Sequence, residues 1–265
     1  MTELLTVENL THEDLFENIS FQVHQEEFMT ISGGNNCGKT TLIRILSGEI
    51  PKTNTISLYG THLEDYPQNL WKEITGTIIP QDNASFLLET VQEELEYTIQ
   101  LFKKTKEERE KTYKDIIKKY KLTKYQKKNP NDLKVFIKLK LMLAKIMLSS
   151  PQILLIDNTD QELEPEEQQE WIELLKDIIE EQKIAIIMTI SDLNIALKSD
   201  KLLIISEKKI LLEGSPLEVL EKDNILNKIG LDLPFMMDLS VKLKDYNVVE
   251  EVELDMDRMV DNIWK

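Results

Sequence analysis

The sequence is short of the features that would place a chain outside the cell or inside a bilayer. It has one cysteine, so it forms no internal disulfide, which suits a reducing cytoplasm. Its longest apolar runs, near Ile184 to Ile190 and Leu202 to Ile205, are far too short to cross a membrane. The opening Met1-Thr2-Glu3-Leu4 has neither the basic stretch nor the apolar region of a secretory signal. The three histidines, His12, His24 and His62, lack the partner spacing of a metal site. Internal repeats and low-complexity linkers are missing as well. A net charge of −16 argues against non-specific binding to nucleic acid.

What remains is a chain of 265 residues, 41% apolar and 30% charged, long enough to bury a sizeable core. Its charge is unevenly spread. Residues 102–145 contain 16 Lys or Arg against 5 Asp or Glu, a balance of +11 inside an acidic protein. Such a block marks a separate face or subdomain, either a solvated helical surface or a lobe near an anionic membrane or acidic partner.

The most informative segment is Gly33-Gly34-Asn35-Asn36-Cys37-Gly38-Lys39-Thr40, followed by Thr41. It is a complete Gly-x-x-x-x-Gly-Lys-Thr phosphate loop. Its glycines let the backbone curl so that successive N–H groups point at phosphate oxygens. Lys39 reaches the β- and γ-phosphates, and the Thr40 hydroxyl is placed to ligate Mg²⁺. An apolar strand-like run from Glu27 to Ser32 precedes the loop, and a helical pattern from Thr41 to Leu46 follows it. The helix N-terminus adds partial positive charge under the phosphates. The expected ligand is therefore a nucleotide phosphate, with Mg²⁺.

Around the loop, residues 4–10, 19–23 and 55–59 alternate like half-buried strands. Residues 88–123 show long helical periodicity, and residues 133–148 are helical again. Ile153 to Ile156 and Ile184 to Met188 are continuous apolar runs of the kind buried on both faces of a parallel sheet. A helix from Glu166 to Glu181 lies between them. Asp157 closes the first of these runs, where a carboxylate beside a phosphate loop is the usual second Mg²⁺ anchor. Gln81 follows the strand-like Thr77-Ile78-Ile79-Pro80.

That order, with a phosphate loop, glutamine loop, helical lobe, signature, Asp strand and switch loop, resembles the ATPase subunits of ABC transporters over essentially the whole chain. The tail segment Gly230 to Leu239 looks like the C-terminal extension of the energy-coupling factor branch, which drives vitamin and metal uptake, and Glu213 to Val219 resembles the Gly-x-Pro segment after the last core strands of the superfamily. The resemblance implies an α/β P-loop NTPase fold with a RecA-like parallel-sheet core. It adds an N-terminal antiparallel β subdomain, an inserted α-helical subdomain and a C-terminal helical extension. The expected boundaries are residues 1–81 and 150–226 for the core, 82–149 for the inserted lobe and 227–265 for the extension. It also implies nucleotide contacts from Gly33 through Thr41 and Gln81, and metal contacts from Thr40, Gln81 and Asp157. The expected partners are a second ABC ATPase chain, in a homo- or heterodimer, and integral membrane subunits docked through residues 82–149. The expected location is the cytoplasm, peripheral on the inner face of the cell membrane.

The chain departs from the family pattern at the positions that cut the phosphate bond. The residue after Asp157 should be a water-polarising Glu and is Asn158, an amide with no basic lone pair at neutral pH. The switch position that should be His is Ser191. The signature, normally Leu-Ser-Gly-Gly-Gln, reads Leu133-Lys134-Val135-Phe136-Ile137, without the glycines that permit close backbone approach. Glu164 stands where the following loop normally has Asp, and His12 is the one ring near the adenine-stacking position. Intact phosphate-binding residues beside missing water-activating ones imply an ATP-binding subunit with weak hydrolysis and a more complete partner. A non-hydrolysing sensing or assembly subunit, and an ABC-type ATPase without a membrane partner, stay open as alternatives.

Overall fold

The computed structural model describes residues 2–51, 54–80, 86–103 and 105–264. Two sheets organise it. The first is antiparallel, in the order β2-β1-β4-β5, built from β1 (Glu3–His12), β2 (Phe16–His24), β4 (Ile56–Leu58) and β5 (Thr61–His62). The second runs β10-β9-β3-β8-β7-β6, from β3 (Phe28–Gly33), β6 (Thr75–Ile78), β7 (Ile153–Ile156), β8 (Ala185–Thr189), β9 (Lys201–Ser206) and β10 (Lys209–Gly214). Its strands pair in parallel except at the β9–β10 edge.

The continuous apolar runs are explained by burial of the large sheet on both faces. Successive side chains of a strand point to opposite faces, so each strand divides its residues between two cores. Ile153 and Leu155 of β7 join one cluster with Ile187 of β8, α1 (Lys39–Leu46) and the antiparallel sheet. Leu154 and Ile156 join the other with Met188, α3 (Val91–Phe102), α5 (Val135–Ile146) and α6 (Pro165–Gln182). The short α2 (Gln68–Ile74) leads into β6.

The periodicity over 88–123 is two helices rather than one: α3 ends at Phe102 and α4 spans Lys106–Lys119. The reason is local. Thr105 accepts a hydrogen bond from the Glu108 N–H, and Glu108 reaches back to the Thr105 N–H, closing a capping box that starts a new helix. Thr90 and Glu93 do the same for α3. Beyond β8, the chain adds α7 (Leu193–Ala196), α8 (Pro216–Leu220), α9 (Asp223–Lys228), α10 (Phe235–Asp245) and α11 (Met256–Ile263). Among the described residues no helix is long and apolar enough to cross a membrane.

The parallel order has one consequence for function. The C-terminal ends of β3, β8 and β7 are neighbours, so the loops that leave them meet at one edge of the sheet. Such edges are where α/β folds of this type bind ligands.

Candidate functional site

The loop leaving β3 wraps into α1 through Gly38, which has φ +97° and no room for a side chain, since a Cβ there would meet the Phe16 ring at 2.7 Å. Helix α1 then begins without a side-chain cap and without an acidic residue in its first turn. Its first N–H groups have no partner within the helix, as in any α-helix. By contrast α3, α4, α6 and α8 are all closed by capping boxes. The uncapped end of α1 is thus available to an anion.

Lys39 folds back over the loop. Its Nζ donates to the Gly33 carbonyl at 2.7 Å and the Gly34 carbonyl at 3.2 Å, and lies 3.9 Å from Cys37 Sγ. Thr40 Oγ1 donates to Asp157 Oδ2 at 2.7 Å, and Thr189 Oγ1 donates to Asp157 Oδ1 at 2.7 Å. A hydroxyl and a carboxylate converging in this way are hard oxygen ligands suited to Mg²⁺, which takes one or two carboxylates and fills its shell with phosphate oxygens and water. Among the described residues no group of three or more His, Cys, Asp or Glu side chains offers a metal cage. The donor set fits a cation that arrives with a phosphate.

These groups line a cleft of about 380 Å³. Its walls hold the loop residues Asn35, Asn36, Cys37, Gly38, Lys39, Thr40 and Thr41 together with Asp157, Asn158 and Ser191. Gly33 and Gly34 bear on the cleft through Lys39. Gln81 lies outside the described residues. Two wall residues carry no motif in the sequence, Leu15 and Gln161. Leu15 sits in the turn between β1 and β2, while His12 lies at the end of β1, paired with Phe16. The cleft wall at this corner is aliphatic and does not include His12.

The far wall is a hydrogen-bonded ring. Ser191 Oγ donates to Asn158 Oδ1 at 2.8 Å, Asn158 Nδ2 donates to Gln161 Oε1 at 2.9 Å, and Gln161 Nε2 donates to Ser191 Oγ at 3.0 Å. The backbone around it is pinned too. The Asn158 N–H donates to both the carbonyl and the hydroxyl of Thr189. The N–H groups of Ser191 and Asp192 both donate to Asp160 Oδ2 at 2.8 Å. Asp160 is buried, and its Oδ1 has no partner among the described residues. Burial pushes its carboxyl up from the ordinary value, against the opposing pull of the Asp192 and Ser191 N–H groups. Glu164 has a local role: it caps α6 in a box with Glu167.

The segment Leu133 to Ile137 stands apart from this cleft. Leu133 and Phe136 are buried in the helical core, Lys134 is exposed at the start of α5, and Lys140 Nζ lies 4.0 Å from the centre of the Phe136 ring. A second concavity, about 640 Å³, is apolar and lies between α3 and the end of α5, with Leu87, Tyr97, Leu101, Phe102 and Ile146 on its walls. The buried Glu94 supports it, accepting the N–H of Leu88 at 2.8 Å and that of Leu87, and pairing with Lys145.

A phosphate loop at the end of β3, a carboxylate at the end of β7 and a polar wall from the end of β8 define the P-loop class of nucleotide-binding proteins. The family model described as ABC transporter matches residues 16–161, more than half of the chain, and the chain belongs to that family. Among curated relatives, the energy-coupling factor transporter ATP-binding protein EcfA of Enterococcus faecium is 26% identical over 251 residues, covering 94% of this chain and 90% of its own length. EcfA1 of Bacillus subtilis (strain 168) is 27% identical over 252 residues, covering 94% and 89%. Among solved structures, CbiO1 from Clostridium perfringens, described as part of the ABC transporter complex cbiONQ, superposes with a TM-score of 0.76 at 22% identity, covering 90% of this chain and 99% of that one. The ATP-binding cassette MJ0796, solved as a dimer in a post-hydrolysis state with ADP and Pi, gives 0.69 at 19% identity, covering 80% and 99%. These likenesses show the ABC ATPase fold.

Proposed function

We infer that this chain is the ATP-binding subunit of an energy-coupling-factor-type importer, binding Mg·ATP while hydrolysing it weakly on its own. One observation carries the reading. The phosphate-binding groups, Lys39, Thr40 and Asp157, converge on one cleft whose water-facing wall has Asn158 and Ser191 in place of groups able to accept a proton. The curated relatives that share nearly the full length of the chain support the branch.

In this reading residues 1–81 and 150–226 form the nucleotide-binding core, residues 82–149 the inserted helical lobe and residues 227–265 the extension. Nucleotide closes a dimer with a second, more complete ABC ATPase, and closure is passed to membrane subunits on the cytoplasmic face. The apolar groove at Leu87, Leu101 and Phe102 is the part of the lobe suited to those subunits, because it leaves large apolar side chains exposed beside the buried Glu94, which pairs with Lys145. The test is co-purification from membranes. Expressed with its neighbouring reading frames, the tagged chain retains an intact second ATPase and an integral membrane protein, and Leu101→Glu in the groove releases the membrane protein while nucleotide binding persists. A tagged chain that leaves the membrane fraction alone, with no ATPase partner, refutes the assignment.

A further inference from the structure

The basic lobe carries more charge than its ion pairs use. Between Lys111 and Lys128 the chain places eight lysines and one carboxylate, Asp115. Two of these lysines turn inward onto α6, Lys119 to Glu181 and Lys121 to Glu170 at 2.7 Å. The other six, Lys111, Lys114, Lys118, Lys124, Lys127 and Lys128, are exposed, and among the described residues none pairs with a carboxylate. Lys111, Lys114 and Lys118 recur at three- and four-residue spacing, which puts them on one face of α4, where Asp115 offsets one of them. Lys124, Lys127 and Lys128 sit on the turn after α4, and that turn is held in place. Its Gln126 and Lys128 carbonyls accept the N–H groups of Gln92 and Val91, the first donors of α3. The Gln126 side chain accepts from the Tyr113 hydroxyl at 2.8 Å and donates to the Thr123 carbonyl at 2.7 Å. The Lys124 and Lys128 ammonium groups lie 5.3 and 5.4 Å from the centre of one ring, Tyr125. Three residues on, Asn131 accepts from the Phe86 N–H at 3.2 Å and donates to the Phe86 carbonyl at 3.3 Å. The lysine-bearing segment is thereby joined to the rim of the apolar groove, where Leu87 is 85% exposed.

We propose that this edge of the lobe is a docking surface for an anionic phospholipid bilayer, with the lysines of α4 and of the following turn at the lipid headgroups. The chemistry of the side chains favours lipid over an acidic protein. All six are lysines, hydrated point charges on flexible stems, and no arginine fork is present for bidentate recognition of a carboxylate. Such an array, spread along a helix face and a turn, suits a diffuse field of headgroups. The remainder of the chain is strongly acidic, so an anionic surface meets it favourably only through this lobe, and physiological salt screens the rest beyond about 8 Å. The surface thus sets orientation as well as attachment, turning the groove beside it toward the membrane.

The test is flotation of the full chain with vesicles of phosphatidylcholine alone or mixed with phosphatidylglycerol. It needs neither nucleotide nor membrane subunits, so the co-purification test can fail while this one holds. The chain binds the mixed vesicles at about 0.1 M salt and leaves them at about 1 M, where the screening length has shrunk from about 10 Å to about 3 Å. Vesicles of phosphatidylcholine float without it. Each lysine near an anionic surface strengthens association roughly fivefold, so Lys124→Glu with Lys127→Glu and Lys128→Glu weakens partition by about a hundredfold or more. The same three positions changed to Gln weaken it less, in step with the smaller change in charge. Lys198→Glu with Lys222→Glu and Lys228→Glu makes an equal change in net charge at exposed positions outside the lobe and leaves partition within about threefold. No binding to the mixed vesicles at low salt overturns the proposal. Equal binding to phosphatidylcholine alone, or equal loss in the two triple Glu variants, does so too. If the parent chain ignores vesicles while the lobe variant loses the second ATPase or the membrane protein on co-purification, the lysines serve a protein partner and the proposal falls.

Discussion

The Thr40 hydroxyl donates to the Asp157 carboxylate across 2.7 Å, joining residues 117 apart in the chain. The bond fixes the phosphate loop to the end of strand β7, and it sets side by side two oxygens of the kind that suit Mg²⁺.

Lys39 supplies a cation at the phosphate loop, held by the Gly33 and Gly34 carbonyls. In Lys39→Ala the loop carbonyls of Gly33 and Gly34 lose their donor, but no packed side chain is removed. Affinity for Mg·ATP falls by about tenfold or more, on the scale of a lost charged hydrogen bond. The thermal midpoint changes little. Titration and melting of the same samples check both statements.

Cys37 lines the cleft in the loop itself. A maleimide added to the free chain blocks nucleotide binding, and saturating Mg·ATP protects the thiol. Mass spectrometry of labelled peptides, with and without nucleotide, reads this directly. Labelling that is indifferent to nucleotide contradicts the placement.

Asn158→Glu with Ser191→His restores a proton acceptor and an imidazole at the two replaced positions. In a dimer whose partner carries a complete signature, turnover at this cleft rises by roughly 10²-fold or more, the usual worth of a positioned base. A phosphate-release assay with the partner's own phosphate loop disabled isolates the effect.

Asp160 gives a pH signature. Its carboxyl is raised by burial, so over a window above the ordinary carboxylate range the folded chain holds a proton that the unfolded chain has lost. The stability tied to that proton is present at low pH and is lost as pH rises through the folded value. Asp160→Asn removes the titration and keeps an oxygen for the Ser191 and Asp192 N–H groups. The melting temperature of the variant therefore gains on the parent as pH increases from 4 to 8. A difference that is flat with pH refutes the account.

The buried Glu94 pairs with the half-buried Lys145 on the wall of the apolar groove. Lys145→Met strands the carboxylate on its two backbone donors and costs about 3–5 kcal/mol. Urea unfolding measures it. The double change with Glu94→Gln recovers much of the loss, because no buried charge is left unpaired.

Much of this site was legible in the sequence, and the limits have physical reasons. The phosphate loop reads directly because its glycines and lysine are contiguous and the strand and helix flank them. Asp157 reads from its place at the end of an apolar run, and Asn158 and Ser191 read only through the resemblance to the ABC family pattern. Gln161 did not read, because its role depends on β7 and β8 lying side by side, a relation between segments 30 residues apart. The break between α3 and α4 was hidden because both helices share one apolar period, whereas the capping box at Thr105 and Glu108 divides them. Leu15 is not legible because an aliphatic residue in the turn after β1 carries no motif, and only the folded turn brings it to the cleft.

The most direct test is a single-turnover measurement on the purified full chain, loading it with Mg·ATP and following bound nucleotide and released phosphate together. The account predicts stoichiometric retention of ATP, with phosphate release about 10²–10⁴ slower than in a cassette having a positioned base. An empty chain, or rapid release that disappears in Lys39→Ala, would contradict it.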